Sequence, residues 1–198
     1  MKILTVLLSA LAFSFGYADV KIDQPAPAFS ETDHLGKVQS LESNKGKWVV
    51  LEWYNEDCPY VKKHYGTKNM QNLQAAETAK GVVWLTVAGS AVDKQGYVAP
   101  KDAAAHYKKA GMKSTALLLD SDGSMGRAYG AKTTPHMFVI NPKGMVVYAG
   151  AIDNNPSSDP STVKGAENHV SAALTDGLAG KAVAKASTKP YGCSVKYN

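Results

Sequence analysis

The sequence predicts an α/β domain in which a central mixed β-sheet is flanked by helices, and three observations predict it. The β-rich runs Trp48–Tyr54, Val82–Ala88 and Thr115–Leu119 alternate with helical stretches, an order that builds a layered sheet joined by crossovers. Asn141-Pro142-Lys143-Gly144 then links two further strands as a hairpin. A last helix follows, and with no internal repeat in view one domain accounts for the order.

The chain has 198 residues. Residues 1–18 are expected to be a signal peptide, with Lys2, a mostly apolar run from Ile3 to Phe15, and a small-residue site at Gly16-Tyr17-Ala18, cleaved after Ala18. The run is too short for a permanent span, and no cysteine stands near the cleavage site to take a lipid. The mature protein is therefore expected in the periplasm or secreted, with no membrane anchor. Residues 19–180 form the expected domain, and 181–198 a tail rich in Lys, Ala and Ser that carries Cys193. Net charge is +5, yet all basic residues but Arg127 are scattered lysines, which argues against a nucleic-acid surface.

The elements follow in order. Pro25 and Pro27 keep the mature start extended, and Leu35-Gly36-Lys37-Val38 turns into a short strand ending near Leu41. Trp48–Tyr54 reads as a buried central strand. A helix starts at or just before Cys58, with Pro59 in its first turn and Asp57 or Asn55 as cap. Gly66-Thr67 interrupts it. Thr67 is expected to cap a continuation with Met70, Leu73 and Ala76 on one face. After the Val82–Ala88 strand comes an irregular excursion from Gly89 to Pro100 and a helix from Lys101 to Ala110. Thr115–Leu119 is a strand, Asp120-Ser121-Asp122-Gly123 a turn, and Ser124–Tyr129 a brief helix. His136–Ile140 and Met145–Tyr148 make the hairpin. The final helix is expected to bury Val163, Ala166, Val170, Ala173, Leu174 and Leu178.

Chemistry converges on Cys58. It follows a buried strand and opens a helix, where free N–H groups and the positive helix end favour a thiolate. Lys62 and Lys63, one turn on, are expected to add positive potential. Thr134-Pro135 precedes a strand, where a cis proline would set backbone groups beside the thiol, and His136 follows at a position from which it could reach the sulfur. His64 is expected to pack or lie at the surface; His34, His106 and His169 are expected to be solvated.

The strand-Cys-Pro-helix junction, the Thr-Pro before a strand hairpin and the closing helix resemble the thioredoxin superfamily. The Pro25-Ala26-Pro27-Ala28-Phe29 segment with its Gly-Lys hairpin is similar to the peroxiredoxin and redoxin branch of the AhpC/TSA type, as an N-terminal β-hairpin extension. The resemblance spans nearly all of residues 24–180, and Lys189 to Tyr197 looks like a tail that some exported relatives carry. It implies a thioredoxin-like fold and thiol-dependent redox activity at Cys58, with Cys193 as second sulfur and Asn55, Pro59, Thr134, Pro135 and His136 positioning the substrate. That substrate is a disulfide or hydroperoxide, and a separate dithiol supplies electrons. No cofactor or metal is expected.

The departures are plain. Asn55 and Val61 stand where a local dithiol would put its other cysteine, Leu51 replaces a peroxiredoxin proline, and Arg127 is not placed as a peroxide clamp. Cys193 lies 135 positions from Cys58. A disulfide between them would close a loop worth roughly 4–5 kcal/mol in the chain-entropy account. A resolving thiol and an inert staple therefore both stay open. So does a periplasmic Cu(I)-binding module, with Cys58 and His136 or His64 as soft ligands.

Overall fold

The computed structural model describes residues 20–198, so the signal peptide expected over residues 1–18 lies outside the described residues. The chain enters extended and forms a hairpin of β1 (Ser30–Thr32) and β2 (Val38–Ser40). Asp33 holds the turn by accepting the N–H groups of Leu35 and Lys37, and Gly36 supplies the positive φ of 75° that the turn requires. Next come β3 (Val49–Tyr54), α1 (Pro59–Gly66), α2 (Asn69–Thr78), β4 (Val83–Ala88) and α3 (Ala103–Lys109). They are followed by β5 (Ala116–Leu119), α4 (Ser124–Tyr129), β6 (Thr133–Thr134), β7 (His136–Ile140), β8 (Val146–Gly150), α5 (His169–Leu178) and β9 (Cys193–Ser194).

Five strands form the central sheet in the order β5-β4-β3-β7-β8. β4 and β5 run parallel to β3, while β7 is antiparallel to β3 and β8 antiparallel to β7. This is the mixed, helix-flanked sheet of the thioredoxin-like class. Both faces of β3 are buried, because alternate side chains point to opposite layers. Val49, Leu51 and Trp53 join Tyr129 and Phe138 in one apolar layer; Val50 joins Trp84, Val139, Tyr148 and Val170 in the other. Among the described residues no helix is long and apolar enough to cross a membrane.

Three local expectations are corrected. Thr67 does not cap α2; its hydroxyl donates back to the Lys63 carbonyl, and Lys68, with φ of 60°, precedes the helix instead. The buried stripe of α2 is Met70, Gln74 and Glu77, whereas Ala76 is exposed. The closing helix starts at His169, not at Val163. Val163 ends a 3₁₀ turn, and Gly165 with φ of 88° and the Asn168 cap separate it from α5; Leu178 ends the helix exposed.

The polar stripe on α2 exists because β3 buries a carboxyl. Glu52 is 1% exposed and accepts from Trp84 Nε1 (2.8 Å), Gln74 Nε2 (2.9 Å), Thr86 Oγ1 (3.1 Å) and the Tyr65 hydroxyl (2.8 Å). Burial nevertheless dominates these bonds and pushes its pKa up from 4.5 to about 7. Folding therefore favours the protonated form. The Glu52 contribution to stability is full below pH 4.5 and is lost as pH rises through about 7. Buried Asp120, raised by burial from 3.8 to about 7, acts in the same direction.

Urea unfolding across pH 5 to 8 is therefore expected to show wild-type stability declining, and Glu52→Gln flattening part of the decline. Glutamine can keep one oxygen toward Trp84, Gln74 and Thr86, so at pH 8 the variant is expected to be more stable by roughly 2–4 kcal/mol. A variant that tracks wild type at every pH contradicts this reading of Glu52.

Candidate active site

β3 delivers the chain to Cys58 through a turn held by Asn55. The Asn55 carboxamide oxygen accepts the Asp57 N–H at 2.9 Å, its nitrogen donates to the Gln95 carbonyl at 3.1 Å, and its carbonyl accepts the Cys58 N–H at 3.1 Å. Gly96 makes the approach feasible, since a Cβ there would sit 2.2 Å from the Asn55 oxygen. Neither Asn55 nor Asp57 caps α1. Cys58 itself is the N-cap residue, with Pro59 in the first turn, where no backbone donor is needed. The thiol thus sits at the N-terminal end of α1, with the Val61 N–H directed at it.

The opposite wall is β6. The Thr134–Pro135 peptide is cis, and the Cys58 thiol donates to the Thr134 carbonyl at 3.0 Å. The Thr134 hydroxyl is buried, makes no other hydrogen bond among the described residues, and is left to donate to a Cys58 thiolate.

The third wall is the tail. β9 pairs antiparallel with β6, setting Cys193 opposite Thr134 and Ser194 opposite Thr133. Gly192 lets it in: its φ is 137°, and a Cβ would meet the Thr134 carbonyl oxygen at 2.1 Å. Beyond the thiol, the Val195 N–H donates to the Lys132 carbonyl, the Ala91 N–H to the Lys196 carbonyl, and the Tyr197 hydroxyl to the Ala131 carbonyl. The two sulfurs are close, and both cysteines are free thiols. Burial raises the Cys58 pKa, but hydrogen bonds from the Cys193 thiol, the Thr134 side chain and the Val61 and Cys193 N–H groups outweigh it, and the net direction is down from 9.0. Cys193 moves the other way, to about 11, through burial, its own donation to Cys58 and the charge there. Of the pair, Cys58 is the thiol that ionises first and Cys193 is its donor.

The other expected contributors have contacts of their own. His136 is buried against Phe138, ring centroids 4.5 Å apart, and its Nδ1 accepts the Lys132 N–H at 3.2 Å. Lys62 is exposed and pairs at 3.9 Å with Asp57, while Lys63 turns into the protein toward Asp153. Neither adds unopposed positive potential to the thiol. His169 is buried, not solvated, and His64 is fully buried. Arg127 donates to the Asp122 and Asn198 carbonyls and lies over the Tyr197 ring. Among the described residues no group of three or more His, Cys, Asp and Glu is arranged to hold a metal. Sequence reasoning named Thr134 without a role for its hydroxyl, and it missed Gly192 and Tyr191. The one signal available was the Tyr191-Gly192-Cys193 string.

Comparison with known proteins places these features in context. The AhpC/TSA family model matches residues 22–149. Thiol-disulfide oxidoreductase ResA of Bacillus subtilis (strain 168) is 28% identical over 151 residues, covering 73% of this chain and 79% of that protein. The crystal structure of a hypothetical protein from Sinorhizobium meliloti superposes with a TM-score of 0.78 at 20% identity, over 91% of this chain and 97% of the other. The thioredoxin domain of a thiol-disulfide oxidoreductase from Bacteroides vulgatus gives 0.52 at 21% identity, over 74% and 97%.

The hydrogen bond between the thiols can be tested on Cys58 alone. In Cys193→Ser a donor remains, and in Cys193→Ala it is gone with the tail still in place. Iodoacetamide alkylation of Cys58 followed against pH is expected to give a higher midpoint in the alanine variant than in the serine variant. Equal midpoints would show that donation from position 193 has no part in the shift.

Proposed function

The chain belongs to the AhpC/TSA family, and from that premise we propose that it is an exported thiol–disulfide oxidoreductase in which Cys58 attacks and Cys193 resolves. The observation that carries the proposal is the β6–β9 pairing, which sets Cys193 beside a Cys58 whose pKa is lowered while its neighbour's is raised.

The Cys58 thiolate attacks one sulfur of a substrate disulfide. A Cys58–substrate disulfide forms, the substrate S–S bond breaks, and the departing thiolate takes a proton. Cys193 is then released from two of the three causes that raised its pKa, its donation to Cys58 and the charge there. It ionises more readily once its partner is consumed. Its thiolate attacks the Cys58 sulfur, forms the Cys58–Cys193 disulfide and expels the second substrate thiolate. Two electrons have passed to the substrate, and an external dithiol returns them by the reverse exchange.

Cys58 is 1% exposed beneath the tail, so a bulky substrate reaches it only when β9 lifts. That motion breaks the two-residue pairing and strains the Val195, Lys196 and Tyr197 hydrogen bonds that follow it. Asn55, Pro59, Thr134 and Pro135 shape the wall at which the substrate sulfur arrives, and His136 supports it from behind. A hydroperoxide is the second substrate class in this reading. It ranks below a disulfide because Arg127 is engaged at the C-terminus instead of beside Cys58. Export is proposed on the composition of residues 1–18, and Cu(I) carriage ranks last on its ligand count.

The test follows glutathione released from glutathione disulfide by the fully reduced protein. Wild type is expected to release both halves. Cys193→Ser is expected to release one and retain the other on Cys58, and Cys58→Ser to slow the reaction by at least about a hundredfold. Full release by Cys193→Ser, or unchanged reaction of Cys58→Ser, would overturn the assignment. Hydrogen peroxide run in parallel separates the two substrate classes.

A further inference from the structure

Behind Cys58, α1 buries two more ionisable side chains that the exchange chemistry does not use. The Lys63 and His64 side chains are wholly buried. Both face Asp153 in the segment after β8, at 3.8 and 3.9 Å, and Lys63 Nζ also donates to the Asn155 carbonyl at 2.9 Å. A buried cation and carboxylate of this kind persist only with their remaining hydrogen-bonding capacity filled. The group that fills it comes from the tail. The Tyr191 hydroxyl donates to Asp153 Oδ1 and lies 3.3 Å from His64 Nε2.

The proton order around the ring is consistent. The Asn69 carboxamide donates to His64 Nδ1 at 2.8 Å, so the ring proton belongs on Nε2, directed at the Tyr191 oxygen. Burial pushes the His64 pKa down to about 4, so the ring is neutral near pH 7. Lys63 Nζ stands 5.6 Å from the centre of the Tyr191 ring, and the Tyr60 ring packs at 5.7 Å on it. Tyr191 is half-buried, so this anchor can be released.

We infer that Tyr191 is a positioning residue: its latch to Asp153 and His64 sets the fraction of time that Cys193 is seated at Cys58. Three facts select it among the tail contacts. It lies two residues before Cys193, with only Gly192 between them. Its partners Lys63 and His64 sit on the helix that Cys58 opens, so the latch registers one thiol directly against the other's element. And β9 itself contributes only two paired residues, too few to hold the strand unaided. The inference rests on the proposed exchange and deepens it, because the same latch would shield Cys58 from bulky reagents and speed its resolution.

Those two consequences have opposite signs, which a merely structural role would not produce. In Tyr191→Phe the decay of a preformed Cys58–glutathione disulfide is expected to slow roughly tenfold, as Cys193 spends less time in place. In that step the Cys193 thiolate forms the Cys58–Cys193 bond, the bond to glutathione breaks, and glutathione leaves as its thiolate. In a Cys193→Ser background, the same substitution is expected to raise several-fold the rate at which a bulky maleimide labels Cys58. Tyr60→Leu, which strips the ring packed on Tyr191, is expected to move both rates the same ways and covers the case of a phenylalanine variant that does not fold.

Unchanged rates, or two rates that fall together, overturn the latch. Failure of wild type to resolve the mixed disulfide would count against the exchange proposal instead. The labelling arm still judges the latch in that case.

Discussion

The active region depends on one pairing, that of the tail strand β9 with the two-residue strand β6. A core strand, a helix N-terminus and a cis Thr134–Pro135 peptide build a pocket with one sulfur in it. The pairing supplies the second from 135 positions away, with Cys193 opposite the residue whose carbonyl meets Cys58. In the proposed exchange the tail replaces a cysteine that a local dithiol would carry within its own helix turn, so that chemistry is sensitive to tail position. Gly192 is the steric condition for this, because any side chain would collide with the Thr134 carbonyl.

Electrostatics then divides labour between two identical thiols. Both are buried enough that desolvation alone would raise their pKa values. The N–H groups at the start of α1 and at Cys193 favour charge on Cys58, and Cys193 becomes its donor. The charged interior is kept apart from this pair. Lys63, which sits five residues after Cys58 in the chain, is committed to Asp153, and Glu52 is enclosed by donors from β4, α1 and α2. The thiolate is thus stabilised by dipoles and hydrogen bonds, with no neighbouring side-chain cation required.

Much of the fold was legible in the sequence. Trp48–Tyr54 and Val82–Ala88 read as strands because continuous apolar, β-branched runs mark strands buried on both faces, and Pro59 after Cys58 marked the start of a helix. The Asn141–Gly144 turn marked the hairpin. The start of α5 was not legible, because Val163 and Ala166 fall at helical spacing while Gly165 and Asn168 break the helix between them. The polar stripe of α2 was hidden for a related reason: Gln74 is buried for Glu52, a partner 22 residues earlier. At the site, Cys58 and Thr134-Pro135 were visible as local motifs. The contribution of Tyr191 was not, since its partners lie 38 and 127 residues away and only the folded tail brings them together.

The most direct measurement is a disulfide map of the protein after mild oxidation, by non-reducing digestion and mass spectrometry on the monomer fraction. A single cross-linked pair joining the Cys58 peptide to the Cys193 peptide of the same chain is the predicted result. Cross-links only between separate chains, or a Cys58 that overoxidises while Cys193 stays free, would contradict the seating of one thiol against the other.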